Sequence, residues 1–343
     1  MAARLKIGII GAGRIGKIHA ENIARFIPRA ELSGITDINL TTEQEAWAKN
    51  LGCRIISNDP EDLLKDPAIE AIAICSSTDT HADLVIAAAE AKKQIFCEKP
   101  VDLSVPKVNI AIEAANKAKV KLQIGFNRRF DHNFARIREL SFSGKIGEIH
   151  LVKITSRDPA PPPPAYVAVS GGIFLDMMIH DFDMARFQSG SEITEVFAAG
   201  AVLVDPEIGK AGDVDTALVT LKFANGAIGI IDNSRKAVYG YDQRVEVFGS
   251  GGALIAENDI PSTVRLYNET GVLGEKPLYF FLERYKQAFI DEMVSFIDAV
   301  QNNKPVAVRG EDGLENMYAA LAAGKSLKEK RPVAINEIRA AYR

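Results

Sequence analysis

Disulfide frameworks, membrane spans and basic tracts are all missing from this chain. Its three cysteines, Cys53, Cys75 and Cys97, are spaced too widely for a CxxC metal or redox motif. Cys75 and Cys97 fall in apolar strand-like runs, where a thiol serves as a small buried hydrophobe. No run of residues approaches about eighteen consecutive apolar side chains, so no membrane span is expected. The start, Met1-Ala2-Ala3-Arg4-Leu5-Lys6, runs directly into a strand-like segment and has no signal-peptide apolar stretch. With 41 basic and 45 acidic residues the net charge is −4, and no basic cluster marks a nucleic-acid footprint. These absences point to a cytoplasmic protein that meets neither nucleic acid nor membrane. What is present is ordinary for a soluble globular protein, 47% hydrophobic and 25% charged residues, and 343 residues suit two domains.

The first 125 residues alternate short apolar strands with helical patterns. Leu5–Ile10 leads into Gly11-Ala12-Gly13-Arg14-Ile15-Gly16, a GxGxxG that opens a helix running to Phe26. In that strand–turn–helix setting Gly11 permits a tight turn, Gly13 admits a pyrophosphate, and Gly16 lets the helix approach the strand. The helix N-terminus offers unpaired N–H groups to the phosphates. A second strand, Glu31–Thr36, ends at Asp37, where this fold puts the acid that bonds a ribose 2′-hydroxyl. No arginine follows, which favours NAD over NADP; the alternative is that Asp37 caps the next helix, a role for which Thr41 or Thr42 is better placed. Ala71–Cys75 is followed by Ser76-Ser77-Thr78-Asp79-Thr80-His81, whose hydroxyls either line the cofactor or cap a helix to Lys92. Strand Gln94–Lys99, a helix over 104–118 and strand Val120–Phe126 complete a parallel, doubly wound sheet. Lys99, in Glu98-Lys99-Pro100, sits past the end of a central strand, where open α/β sheets bind ligands. By itself it reads more readily as a surface lysine before a loop.

After Gly125 the rhythm changes. A helix is expected over Asp131–Leu140 and a strand over Gly147–Arg157, then a stiff irregular stretch from Asp158-Pro159 through Pro164 to Ser170-Gly171-Gly172. From Ile173 a mostly apolar helical pattern carries Asp176 and His180 four residues apart, on one face. An aspartate that orients an imidazole suits general acid–base work. A core histidine satisfied by a carboxylate is the plainer reading, and a metal held by Asp176, His180 and Asp183 is a third, short of a fourth ligand. Beyond Glu195, strands over 196–204, 213–223, 227–235, 243–248 and 252–257 with short turns imply a largely antiparallel sheet. Helices over 281–301 and 310–327 close the chain. With helices on one face, the other face of the sheet is available for a homo-oligomer.

Taken together, the glycine turn, Asp37, Glu98-Lys99-Pro100, Gly125-Phe126-Asn127-Arg128-Arg129-Phe130, the Asp176-x-x-x-His180 helix and Tyr239-Gly240-Tyr241-Asp242 resemble the glucose-fructose oxidoreductase / inositol dehydrogenase / MocA-like family, over essentially the whole chain. The aspartate–proline loop at Asp158-Pro159 is most similar to its inositol-oxidising members. The resemblance implies an α/β chain: an NAD-binding Rossmann domain (1–125) and an α+β substrate and oligomerisation domain (126–343) with a large, mostly antiparallel sheet. It implies NAD-dependent oxidation of myo-inositol, or a close isomer, to the inosose ketone in inositol catabolism, without a metal. A cyclic polyol is then the substrate and a homotetramer the assembly. Lys99, Asp176 and His180 are the implied catalytic set. NAD would be held by Gly11, Gly13, Arg14, Ile15, Gly16, Asp37, Ser76, Ser77, Thr78, His81, Glu98, Lys99 and Asn127. The polyol would meet Lys99, Arg128, Asp158, Asp176, His180, Tyr239 and Tyr241; the choices between Arg128 and Arg129 and between the two tyrosines stay open. The alternatives are a same-fold dehydrogenase of an aldose or other polyol, and a non-catalytic dinucleotide-responsive regulator.

Overall fold

Short, largely apolar strands that alternate with helices build the N-terminal half of the computed structural model. The structure describes residues 4–342; Met1-Ala2-Ala3, the start of the segment expected to lack a signal peptide, lies outside them. Two compact units emerge, residues 1–130 with 287–315 and residues 131–286 with 316–343. This differs from the division expected at residue 125, because the segment 287–315 returns to the first unit.

In the first unit β1 (Leu5–Ile10), α1 (Arg14–Phe26), β2 (Ala30–Thr36), α2 (Thr42–Asn50), β3 (Ile55–Ser57), α3 (Glu61–Leu64), β4 (Ala71–Ile74), α4 (Thr78–Glu90), β5 (Gln94–Glu98), α5 (Val105–Ala118) and β6 (Leu122–Gly125) follow in order. The strands form one parallel sheet in the order β3-β2-β1-β4-β5-β6. That order reverses direction at β1/β4, the crevice in which doubly wound sheets bind dinucleotides. Strands this deeply covered read as continuous apolar runs because both faces are packed. Ile7, Ile9, Ile35, Ala73 and Phe96 are fully buried and share a core with Met293, Phe296 and Ile297 of the returning helix. Each such large side chain stabilises the fold by roughly 1.5–3 kcal/mol on burial.

The second unit contains α6 (His132–Phe142), β7 (Ile149–Arg157), α7 (Pro164–Ser170), α8 (Ile179–Ser189), β8 (Ile193–Ala201), α9 (Pro206–Lys210), β9 (Thr216–Phe223), β10 (Ile228–Ser234), β11 (Asp242–Gly249) and β12 (Gly252–Ala256). A hairpin, β13 (Arg265–Asn268) and β14 (Gly271–Gly274), and helix α10 (Phe281–Arg284) precede α11 (Lys286–Gln301), which is the returning helix. α12 (Gly310–Glu329), β15 (Val333–Ala334) and α13 (Ile335–Ala340) end the chain. The seven-stranded sheet runs β12-β11-β7-β10-β9-β8-β15, antiparallel except for β7 beside β10. Its strands alternate: Val196, Val219, Leu221, Ile231, Val245 and Val247 point into the core, while Phe197, Leu218, Ile228, Phe248 and Ile255 are exposed.

Three expectations change. The helix expected over 281–301 is two helices. The proline-rich stretch, expected to stay irregular as far as Gly172, contains α7, whose first residue is Pro164, where proline's fixed φ suits a first helical turn. The helix expected from Ile173 begins instead with a π-helical turn, Ile173–Met177, and becomes α-helical only from Ile179.

Candidate active site

At the β1–α1 turn Gly11 has φ +103°, and a Cβ there would lie 2.6 Å from the Cys75 carbonyl group. A Cβ on Gly16 would come within 1.9 Å of the Gly11 oxygen, so α1 packs against the turn only because that side chain is missing. Gly13 differs: nothing approaches its Cβ position within 4 Å. It is the N-cap of α1, and no side chain caps the helix there. An uncapped helix start, open at Gly13, with Arg14 exposed and Ile15 half-buried beside it, fits a pyrophosphate.

Asp37 follows β2 and closes over this turn. Its Oδ2 accepts from the Ala12 N–H at 2.7 Å and its Oδ1 from the Asn39 N–H at 2.9 Å. It does not cap α2; Thr41 does so, in a reciprocal capping box with Gln44. Each carboxylate oxygen keeps a further lone pair for a ribose hydroxyl. After β4, Ser77 is the N-cap of α4 but its side chain caps nothing, and the Ser76 and Thr80 hydroxyls lie 2.7 Å apart. Thr78 is half-buried at the first turn. His81 is buried, its ring nitrogens 2.8 and 3.0 Å from the carbonyl oxygens of Pro100 and Ser76. It therefore ties the end of β4 to the segment after Lys99. Glu98 is also buried, with Oε1 2.8 Å from His19 Nε2 on α1. Lys99 itself is half-buried and precedes a cis peptide bond to Pro100.

Asn127 and Arg128 are buried in a single 3-10 turn after β6. The neighbouring Arg129 places its guanidinium 3.3 Å from Asp312 and donates to the Ala307 carbonyl at 3.3 Å. Those two contacts tie Arg129 to the segment that leads into α12. The expected dinucleotide residues, except those spent on the fold's own backbone, cluster at the carboxyl ends of parallel strands.

In the second unit Asp176 sits within the π-helical turn and His180 at the start of α8. The turn's wide bond, Met178 N–H to the Ile173 carbonyl at 2.8 Å, shifts these two residues off simple α-helical spacing. Such turns recur at functional sites. Asp176 Oδ1 accepts from the Tyr166 hydroxyl at 2.9 Å, and its Oδ2 lies 3.6 Å from Arg235. Arg235 is only 1% exposed and also lies 3.7 Å from Asp213, whose carboxylate accepts from the Ile173 N–H. Burial pushes the Asp213 carboxyl up, against the opposing pull of Arg235. The sequence reading missed Tyr166, Arg235 and Asp213. A charge at a strand end, Arg235 just past β10, was the one available signal. The neighbouring acids have other partners: Asp181 accepts from Asn233 at 3.0 Å and Asp183 from Asn316 at 2.8 Å, both buried.

Asp158 is half-buried after β7, its backbone joined to Ser234 and Ala237. The two tyrosines separate. Tyr239 is 37% exposed and donates to Asp242 at 2.6 Å while accepting from Arg157 at 3.0 Å. Tyr241 is buried edge-on to Phe280 and Tyr285.

Comparison with known proteins accounts for both halves. Residues 5–126 match a model described as the oxidoreductase family with an NAD-binding Rossmann fold, and residues 134–255 match the GFO/IDH/MocA C-terminal domain. The chain belongs to the GFO/IDH/MocA oxidoreductase family. Myo-inositol 2-dehydrogenase of Thermotoga maritima is 54% identical over 97% of this chain and 99% of that protein. Inositol 2-dehydrogenase of Rhizobium meliloti is 46% identical over 96% and 99%. Among solved structures, scyllo-inositol dehydrogenase from Lactobacillus casei with bound NAD(H) and scyllo-inositol superposes with a TM-score of 0.89 at 34% identity, covering 97% of this chain and 99% of that one. The model matched by residues 5–126 is NAD-binding, and the open Gly13 turn and Asp37 fit that cofactor. Among the described residues, no helix is long and apolar enough to cross a membrane.

Proposed function

We propose that this chain oxidises myo-inositol, or a close inositol isomer, at a ring secondary hydroxyl to the inosose ketone, in inositol catabolism. The observation that carries the reading is near full-length similarity, at 54% identity, to a protein named for that reaction, in a chain that carries Lys99, Asp176 and His180. NAD, when bound, accepts the hydride. His180 takes the hydroxyl proton, and Asp176 orients the imidazole and stabilises its cationic form. The Tyr166 hydroxyl and the buried Arg235 fix the Asp176 carboxylate and keep its charge compensated. Lys99 donates to the reacting oxygen and stabilises developing negative charge. Arg128 and Asp158 bond other ring hydroxyls; Tyr239 is the better tyrosine for that role, since Tyr241 is buried among aromatic rings. A site that pairs many hydroxyls discriminates strongly against analogues that lack one.

The test is NAD reduction over a panel of inositols and aldoses, with Lys99→Ala beside the wild type. Turnover is expected on an inositol and not on aldoses, and Lys99→Ala is expected to lower kcat by about 10²–10³ while NADH still binds. Activity confined to aldoses would overturn the substrate, and near-normal turnover of Lys99→Ala would overturn the role of the lysine. The protein works as a homo-oligomer, a tetramer by family likeness, through the exposed sheet face of Phe197, Leu218, Ile228, Phe248 and Ile255. Leu218→Glu is expected to yield a smaller species in sedimentation, and an unchanged size would exclude that face. Its three free thiols and its use of NAD suit the cytoplasm.

A further inference from the structure

Behind Lys99 lies a buried cluster that the reaction scheme leaves unused. His19, on α1, is fully buried, edge-on to Phe96 at 5.0 Å and to Phe289 at 5.7 Å between ring centroids. Its Nε2 is 2.8 Å from Glu98 Oε1 and 3.9 Å from Glu292 Oε1, on α11. Glu292 is 0% exposed, and among the described residues neither of its carboxyl oxygens has a hydrogen-bond partner. Gly125, at the end of β6, completes the cluster: a Cβ there would lie 3.0 Å from the Glu98 carboxyl group, so glycine leaves room for it. Three elements thus converge on the residue before Lys99: the helix that starts at the dinucleotide turn, the end of β6, and the helix returning from the C-terminal half.

Charge arithmetic limits what this cluster can be. Two carboxylates and one imidazole cannot all be buried as ions without a large desolvation cost. Burial, with repulsion from Glu98 added, pushes the Glu292 carboxyl well up. The titratable groups facing it are His19 on α1, Glu98 on β5 and the Cys75 thiol past β4, with Cys97 beside Glu98. Both thiols are themselves pushed up by burial and so stay neutral. Kept neutral by burial, Glu292 stands beside the 2.8 Å contact between the imidazole and Glu98 Oε1.

We propose that His19, Glu98 and Glu292 form a buried positioning network that holds Lys99 in register with the dinucleotide turn. The inference rests on the catalytic reading of Lys99. These three are positioning residues, acting through the backbone of β5 and not on the substrate.

Two measurements test it. A carboxyl that is neutral when folded binds a proton that the unfolded chain has lost, so stability falls as pH rises above the ordinary carboxylate range. Glu292→Gln abolishes that slope. Its melting temperature is expected to gain about 3 °C or more on the wild type between pH 5.5 and 8.5. Parallel melting curves would overturn the neutral acid. In kinetics, His19→Ala is expected to lower kcat about tenfold or more, with polyol KM and NADH affinity changed less than about threefold. His19→Gln, which keeps an N–H donor, is expected to recover most of that loss. Full kcat in His19→Ala overturns the positioning role, and if that variant does not fold, equal loss in His19→Gln does so. Stoichiometric transition metal in the purified protein, absent from Glu292→Gln, would show a metal site instead. Near-normal turnover of Lys99→Ala would sink the reading of the lysine, whereas an inactive Lys99→Ala beside a fully active His19→Ala would sink the network alone.

Discussion

Arg235→Met removes a buried cation that lies against two carboxylates. The guanidinium lies 3.6 Å from Asp176 and 3.7 Å from Asp213. At an effective dielectric of about 20, each contact carries about 4–5 kcal/mol of Coulomb attraction. Desolvation of the buried guanidinium takes back much of that, so the pairs are not worth their sum. The asymmetry appears on removal: methionine fills similar space but takes the positive charge away from both Asp176 and Asp213. Breaking a buried pair in this way costs about 3–5 kcal/mol. If that account is right, neutralising one acid must rescue part of the loss. Arg235→Met/Asp213→Asn is therefore expected to be about 1–3 kcal/mol more stable than the sum of the single changes implies. Urea unfolding of the four chains, followed by circular dichroism, gives the cycle. Single costs that add to within about 0.5 kcal/mol would refute the idea that Arg235 compensates both acids. Arg235→Met is also expected to lower kcat, because Asp176 loses one of the groups that fix it, and to leave NADH affinity unchanged.

Two further outcomes follow from the first unit. Asp37→Ala is expected to relax the preference for NAD over NADP by about tenfold, since it removes both a ribose acceptor and a negative charge that repels a 2′-phosphate; equal kcat/KM ratios in variant and wild type would locate the determinant elsewhere. Burial pushes the Cys53 thiol up to about 12 and moves Cys75 and Cys97 upward too. Thiolate, the reactive form, is thus scarce at pH 8. Iodoacetamide at pH 8 is expected to label all three only after unfolding, and rapid labelling of the native chain would contradict that burial.

The parts of this molecule legible in the sequence are those whose signal is local. The glycine turn, Asp37 and the strand ending at Lys99 were readable because each strand–turn–helix unit carries its own pattern within a short window. Thr41 or Thr42 was preferred to Asp37 as the cap of α2, and Thr41 is the cap, since the side-chain geometry of a capping box spans four residues. What escaped was non-local or degenerate. β3 is three half-buried residues, too short for periodicity. A π-helical turn around Asp176 has the same apolar composition as an α-helix. Arg235, which holds Asp176, is remote in sequence, and a strand-end arginine normally reads as solvated. Glu292 stood in an amphipathic helix whose partner sheet lay in the other half of the chain.

That returning helix has a consequence for how the protein is made. Met293, Phe296 and Ile297 sit in the core of the N-terminal unit, so the ribosome releases about 160 intervening residues before that core can close. At about 5–20 residues per second, the dinucleotide-binding half waits roughly 8–30 s, its sheet missing one wall of its core. The second unit closes later still, because it includes residues 316–343. The first half therefore closes only after most of the second has been made, and a nascent chain halted near residue 286 presents an apolar sheet face to the cell's chaperones.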